Sequence, residues 1–200
     1  MGVTSTVFAA VALLTLAVAV VSLVQLHLPA PGVLPLSDPV SDYGTGPYAN
    51  KYRVQVVFTG GAAAAIWAGL LSADLDGNGS AWLLVFALSR VLISAFPVDL
   101  PGAQRTTTGT THNLLAATAF ASIAIAAGTL GGRLATTPAW TFDSAWYRWL
   151  GILVTVFAVA LGITWGVPSL RRTRFGLIER CWYGAIIAWL ASPATGLLLG

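Results

Sequence analysis

Asp99 and His112 are the two side chains best suited to proton chemistry, and both lie in the polar stretch SAFPVDLPGAQRTTTGTTHN, residues 94–113. A carboxylate and an imidazole within reach of each other can transfer protons or hold a divalent metal. We expect Thr110 or Thr111 to cap the helix that follows, which places His112 in its first turn. The free N–H groups of a helix N-terminus favour an anionic group. The stretch therefore predicts a polar site for an anion, a metal or a proton transfer.

Arg90 lies inside the apolar segment that precedes this stretch, about six residues or ~9 Å of helix rise from Phe96. An arginine at the centre of a membrane helix costs at least about 2.5 kcal/mol on insertion scales, so it needs a partner or must reach the interface. The other apolar segments contain no acid, which leaves Asp38 and Asp42 of the first connection. We expect Asp42 and Arg90 to form an ion pair that supports the site. A ligand-binding Arg90 is the alternative.

A calcium-like pattern occurs in DLDGNGS, where Asp74, Asp76 and Asn78 occupy alternate positions of a Ca²⁺-binding loop. A complete EF-hand loop would need Glu at its twelfth position, where this chain has Val85. Asp, Asn and Gly are also the residues that a tight turn requires. The pattern predicts a turn, with a weak metal site at these three residues as the alternative.

The elements that must position these residues are membrane helices. Hydrophobic residues make up 56% of the 200 residues and charged residues 8%, against roughly a quarter charged in an average soluble domain. A bilayer core about 30 Å thick needs about 20 apolar residues per helix, and the continuous Leu, Ala and Val runs favour helices over barrel strands. The sequence predicts an all-α integral membrane bundle, a single domain over residues 1–200. Its six transmembrane helices are expected at 7–28, 54–73, 81–96, 113–130, 149–167 and 181–199.

The net charge of +3 reflects orientation in the membrane rather than binding to nucleic acid. The connections after predicted helices 1, 3 and 5 carry most of the basic residues, namely Lys51, Arg53, Arg105, Arg171, Arg172, Arg174 and Arg180. The opposite side has Arg133 and Arg148. By the positive-inside rule, the charge-rich connections lie in the cytoplasm and both termini lie outside. We therefore expect a multipass protein of the plasma (inner) membrane.

Two patterns indicate packing surfaces. Gly61, Ala65 and Gly69 of predicted helix 2 recur at four-residue spacing, which lets another helix approach closely. Aromatic residues around the start of predicted helix 5 form an interfacial belt, namely Trp140, Phe142, Trp146, Tyr147 and Trp149. In an accessory subunit, both surfaces should be buried against a membrane-protein partner or a second copy of the chain.

The polar side chains that could act together fall on one side of the membrane. They are six of the nine acidic and histidine residues, namely His27, Asp38, Asp42, Asp99, His112 and Glu179. Three interpretations compete. The cluster can serve helix capping and interfacial anchoring, it can form a site for a lipid or isoprenoid headgroup, or His27 and His112 can bind a haem between them.

Four motifs resemble a known family. SDPVSDYG at 37–44, FPVD at 96–99, GTTHN at 109–113 and GLIER at 176–180 are similar, in order and spacing, to those of the prokaryotic membrane family catalogued as domain of unknown function 998. The resemblance covers nearly the whole chain and implies a compact bundle of six helices in a family without an agreed activity. It points to signature positions Ser41, Asp42, Tyr43, Gly44, Phe96, Pro97, Asp99, His112, Glu179 and Arg180.

The expected site has Asp99 and His112 at its core as candidate catalytic residues. Its ligand-binding groups are expected to be Asp42, Tyr43, Arg90, Glu179 and Arg180, with the last two closing it from helix 6. If the protein is an enzyme, it is an intramembrane lyase, cyclase or hydrolase that acts on a lipid or isoprenoid. The alternatives are binding or transport of a small molecule without chemistry, and a non-enzymatic accessory subunit. The sequence identifies no cofactor.

Overall fold

The computed structural model describes residues 2–28, 32–100, 102–138, 140 and 144–200, without the side chains of Ala135 and Ser144. Within these ranges the chain is helical and has no strand, so the predicted all-α class is confirmed. The helices are α1 Val3–His27, α2 Ala49–Ser72, α3 Asn78–Ile93, α4 Thr107–Ala135, α5 Ser144–Gly166 and α6 Pro168–Leu199. Two short 3₁₀ helices, Val40–Gly44 and Gly46–Tyr48, lie in the first connection.

Five of these helices are long and apolar enough to cross a membrane, namely α1, α2, α4, α5 and α6. Helix α3 has 16 residues, or about 24 Å at 1.5 Å per residue. This is shorter than the hydrocarbon core of about 30 Å. Helix α6 has 32 residues, or about 48 Å, so its first turns extend beyond the apolar region. The chain is a multipass membrane protein.

Each helix packs against the next one in the chain, and α6 returns to contact α1 and α2. The six helices therefore form a closed ring of neighbours. Helices α2 and α6 are the central ones, because 56% of the apolar window of each is buried against 28% in α1 and α5. The polar residues carried by α2 and α6 are consequently held inside the bundle.

Small residues of α2 allow close packing within the chain itself. A Cβ added at Gly60 would lie 2.8 Å from the carbonyl oxygen of Ala87 in α3, and one added at Gly69 would lie 2.8 Å from Leu197 of α6. A Cβ at Gly61 would meet no atom within 4 Å. Part of the predicted small-residue surface, at Ala65 and Gly69, is therefore buried inside the bundle rather than left free for a partner.

The aromatic belt is divided between two environments. Trp146 and Trp149 are exposed, as expected of side chains at a membrane interface. Tyr147 is buried and stacks on Trp189 of α6, with ring centroids 5.4 Å apart, and Trp140 is also buried. Phe142 lies outside the described residues. Two of the five predicted belt residues are therefore buried, and Tyr147 packs α5 against α6.

All six helices begin before the residue that hydropathy predicts, and the difference is largest for α6 and α4. Helix α4 begins at Thr107 rather than Asn113, because Thr106 is its N-cap and accepts a hydrogen bond from the Gly109 N–H at 3.0 Å. The expected caps Thr110 and Thr111 are therefore wrong. Helix α6 begins at Pro168 rather than Cys181, so the basic RRTRFGLIER segment is helical. A threonine-rich or arginine-rich turn lowers mean hydropathy without breaking a helix.

Candidate functional site

The candidate site lies at the end of the bundle where α1 ends, α2 begins, α3 ends and α4 begins; we refer to this as the polar end. Here Arg180 of α6 donates to the His27 ring of α1 at 2.8 Å and to the Asp38 carbonyl at 2.9 Å. His112 of α4 contacts the Phe96 carbonyl just after α3. The structure thus brings the first and third connections and α6 together, as the count of polar residues predicts.

A cleft of about 1290 Å³ enters the bundle at the polar end between α3, α4, α5 and α6. Its polar lining includes four acids and four arginines, namely Asp38, Asp42, Asp99, Glu179, Arg90, Arg105, Arg171 and Arg172, together with His112. Most of the predicted site residues therefore share one cavity. The two signs of charge are balanced in number along its lining.

The inner part of the cleft is apolar and lies between α4 and α5. The α4 wall consists mainly of small side chains, including Ala117, Ala121 and Ala124. Below the cleft the two helices are in tight contact, because a Cβ added at Gly151 would lie 2.8 Å from the Ala127 carbonyl oxygen. The helices therefore touch at this level and leave a gap toward the polar end. From His112 to the deepest α4 residues the gap is about 20 Å long by helix rise.

The apolar part of the cleft is open on its outer side. Ala117 and Ala121 of α4 and Val159 and Gly162 of α5 line the cleft and are exposed. These residues lie within helices long enough to cross the membrane. The gap is therefore open at its outer side, between two helices that are each long and apolar enough to cross a membrane.

Asp99 caps the first turn of α4. Its carboxylate accepts hydrogen bonds from the Thr106 N–H at 2.9 Å and from the Thr106 hydroxyl at 2.7 Å. These bonds hold the pKa of Asp99 below its ordinary value. A Cβ at Gly109 would collide with the same carboxylate, so only glycine fits there. Asp99 lines the mouth of the cleft, and its carboxylate is engaged in holding the N-cap residue of α4.

His112 is buried about one and a half turns into α4. Its Nδ1 lies 2.6 Å from the carbonyl oxygen of Phe96. Because a carbonyl oxygen only accepts, Nδ1 carries the proton and Nε2 is the unprotonated nitrogen of the neutral ring. No hydrogen bond joins His112 to Asp99, although both line the cleft. The predicted core pair is brought to one cavity without direct contact.

Arg90 is almost completely buried in the last turn of α3, with 2% of its surface exposed, and it lines the cleft. Its Nη2 donates to Gln55 Oε1 of α2 at 3.0 Å, and its guanidinium lies 5.3 Å from the Tyr183 ring centroid. Its Nε has no hydrogen-bond partner. The expected ion pair with Asp42 is absent between these two described residues. The uncharged side chain of Gln55 takes the place of the expected acid.

Gln55 is the main site residue that the sequence interpretation missed. It is fully buried in α2, and its amide group also donates to the Thr59 hydroxyl at 3.1 Å. This second bond fixes the amide so that Oε1 points at Arg90. A glutamine within an apolar helix is the same signal that identified Arg90, and YRVQVVF displays it.

Glu179 and Asp42 bring carboxyl groups to the cleft. Glu179 of α6 is 4% exposed, and its Oε2 accepts a hydrogen bond from the Val40 N–H at 2.6 Å. The pKa of Asp42 is raised to about 6, first by burial and then by the nearby Asp38 charge, while Arg180 acts in the opposite direction. Both predicted carboxyl groups therefore face the same cavity from different elements.

Arg180 and Tyr43 lie outside the cleft lining and hold the first connection instead. Besides His27 and Asp38, Arg180 donates to the Gly176 carbonyl at 2.9 Å. The Tyr43 ring is buried edge-on to His27, with ring centroids 5.5 Å apart. The structure therefore gives these two expected ligand-binding residues a positioning role.

His27 has partners on both ring nitrogens. Nδ1 lies 2.7 Å from the Leu23 carbonyl oxygen, so it carries the proton, and Nε2 accepts from Arg180. Neither nitrogen is free to coordinate iron in this arrangement. The structure does not support the haem interpretation, which requires both His27 and His112.

The DLDGNGS segment forms the connection between α2 and α3. Asp74 adopts a positive φ of 54°, and the N–H and carbonyl of Gly77 bond the Ser80 hydroxyl at the start of α3. Among the described residues, no group of three or more His, Cys, Asp or Glu side chains is arranged to hold a metal. Asp74, Asp76 and Asn78 thus form a turn that begins a helix.

The comparisons with known proteins give one match. Residues 9–196 match the sequence profile of a family described as protein of unknown function (DUF998). No curated protein and no solved structure matches the chain. The matched region includes α2 to α5, most of α1 and α6, and the residues that line the cleft.

Proposed function

We propose that this chain, which belongs to the DUF998 family, binds an amphiphilic lipid or isoprenoid in the cleft, with its headgroup at the polar end and its apolar chain between α4 and α5. The observation that carries the proposal is the shape of the cavity. It has charged residues at one end, small apolar residues at the other, and an opening at its outer side.

The size of the cavity supports this ligand class. Ligand pockets commonly have volumes of about 300–1,000 Å³, and this cleft, at about 1290 Å³, exceeds that range. The cleft is about 20 Å long from His112 to its deepest α4 residues, whereas one leaflet provides about half of the 30 Å hydrocarbon core. A chain as long as a leaflet is deep would fit in the gap.

The hydrogen bonds favour binding over turnover. Asp99 is engaged in capping Thr106, and the proton of His112 is engaged with the Phe96 carbonyl. The buried groups left to meet a headgroup include the guanidinium of Arg90, the carboxyls of Glu179 and Asp42, and Nε2 of His112. The guanidinium groups of Arg105, Arg171 and Arg172 also line the cleft. We place the polar end on the cytoplasmic side of the plasma membrane, since most Lys and Arg residues outside the apolar region are at this end.

The test is native mass spectrometry of the gently solubilised protein, with lipid analysis of the same sample. Ala121→Phe would place a ring in the apolar gap and should abolish a lipid that wild type retains. Ala17→Phe is the matched control, because Ala17 is exposed on α1 away from the cleft. The control should retain the lipid.

Equal lipid retention by wild type and Ala121→Phe would contradict the proposal. So would an absence of bound lipid combined with a protein that co-purifies at fixed stoichiometry. The second result would make the chain an accessory subunit of a membrane complex.

A further inference from the structure

Two opposite charges face the cleft without pairing with each other. Arg90 comes from α3 and Glu179 from α6, and only 2% and 4% of their surfaces are exposed. No ion pair joins these two described side chains. A buried charge is costly unless an opposite charge or several hydrogen bonds compensate it.

Each charge is held by a neutral group of the protein. Arg90 is fixed by Gln55 Oε1 on one side and by the face of Tyr183 on the other. Glu179 is fixed by the main-chain N–H of Val40. Arg90 and Glu179 therefore each bond a neutral partner, and the Nε of Arg90 is left without one.

The unsatisfied part of Arg90 is its Nε, which is buried and has no hydrogen-bond partner. An N–H of a guanidinium binds phosphate or carboxylate oxygens well. The other titratable residues that line the cleft near these two are His112 from α4, Asp42 from the first connection, Tyr52 from α2 and Tyr183 from α6. The α5 residues that line the cleft include no titratable group. A purely anionic ligand would meet the carboxyls, and a purely cationic one would meet Arg90.

We propose that the cleft recognises a zwitterionic headgroup, in which a phosphate binds Arg90 and a primary ammonium binds Glu179. The ligand class is a lipid that carries phosphoethanolamine or a related phosphate–amine headgroup. A primary ammonium can donate N–H bonds to the free carboxylate oxygen of Glu179, which a trimethylated amine cannot do. This inference rests on the proposed lipid binding and specifies its headgroup.

The experiment titrates delipidated protein with dioleoyl phosphatidylethanolamine, phosphatidylcholine and phosphatidylglycerol of the same chain length and counts bound lipid by native mass spectrometry. Wild type should prefer phosphatidylethanolamine about tenfold, the effect of one charge-assisted hydrogen bond. Glu179→Gln keeps the size of the side chain and should remove this preference while binding of phosphatidylglycerol is kept or increases. Arg90→Gln should weaken binding of all three lipids.

The variants separate the inference from the function on which it rests. Equal binding of the three lipids by wild type, with no change of ratio in Glu179→Gln and with loss of all lipid in Ala121→Phe, would overturn the headgroup assignment and leave lipid binding intact. Absence of binding by wild type would overturn both. Should Arg90→Gln fail to fold, the lipid ratio of Glu179→Gln alone decides.

Discussion

Asp42 shows how burial at the polar end makes one residue respond to pH. Its pKa is raised from 3.8 to about 6, chiefly by burial, so the folded chain keeps a proton that the unfolded chain has already released. Stability therefore falls as the pH rises from about 4 to about 6, and above that range the ionised carboxyl opposes folding.

We predict that Asp42→Asn removes this pH dependence, because an amide does not ionise. The wild-type melting temperature should fall between pH 4 and pH 6 relative to the variant, and the variant should be the more stable protein above this range. The melting temperature at each pH is measured by tryptophan fluorescence during heating in detergent. Asp76→Asn, in the α2–α3 connection, is the charge-matched control. Parallel curves for wild type and Asp42→Asn would show that the carboxyl is not buried.

At the scale of an element, the start of α4 depends on a relay of three contacts. Asp99 binds Thr106, Thr106 binds the Gly109 N–H, and Gly109 has no side chain because the Asp99 carboxylate occupies that space. The relay fixes the first turn of α4 and thereby the position of His112 beside Phe96.

We predict that Thr106→Ala destabilises the protein by about 1 kcal/mol, the usual cost of losing an N-cap side chain. Hydrogen exchange of the first amides of α4 should become faster while that of the α5 amides is unchanged. Thr107→Ala is the control, because Thr107 is exposed and is not the cap. Equal exchange in both variants would mean that Thr106 does not set the start of the helix.

At the scale of the whole molecule, α6 holds the first connection against the bundle. The N–H groups of Gly176 and Leu177 donate to the carbonyls of Ser37 and Leu36 at 3.3 Å and 3.0 Å. A Cβ at Gly176 would lie 2.5 Å from the Asp38 carbonyl oxygen, so the connection packs directly on the helix main chain. Arg180 adds its bonds to this contact.

We predict that Arg180→Met releases the first connection and lowers stability by about 1.5–3 kcal/mol, the range for a hydrogen bond to a charged group. Limited proteolysis should then cut between residues 32 and 48, a segment in which we expect wild type to be resistant. Arg174→Met removes the same charge from an exposed position of the same helix. The protease should cut this control variant no faster than wild type. Resistance of both variants would contradict the role assigned to Arg180.

The sequence predicted the helical class and the gathering of polar residues at one end, because hydropathy and the alternation of helix direction determine both. It did not predict the partner of Arg90, which depends on the rotation of α2 against α3 and favours Gln55 over Asp42. Nor did it predict the early starts of α4 and α6, since a capping threonine and a basic turn carry no hydropathy signal. Which polar residues line the cleft and which hold the first connection likewise depends on how the helices pack, and the sequence alone does not give this.

The sideways opening between α4 and α5 determines how the proposed ligand is supplied. A molecule that enters there stays within the bilayer throughout, so occupancy depends on its mole fraction among the membrane lipids and not on its concentration in water. In detergent the same quantity becomes the number of ligand molecules per micelle. Adding detergent at constant amounts of protein and lipid should therefore empty the cleft by dilution alone. Adding lipid until the original lipid-to-detergent ratio is restored should refill it.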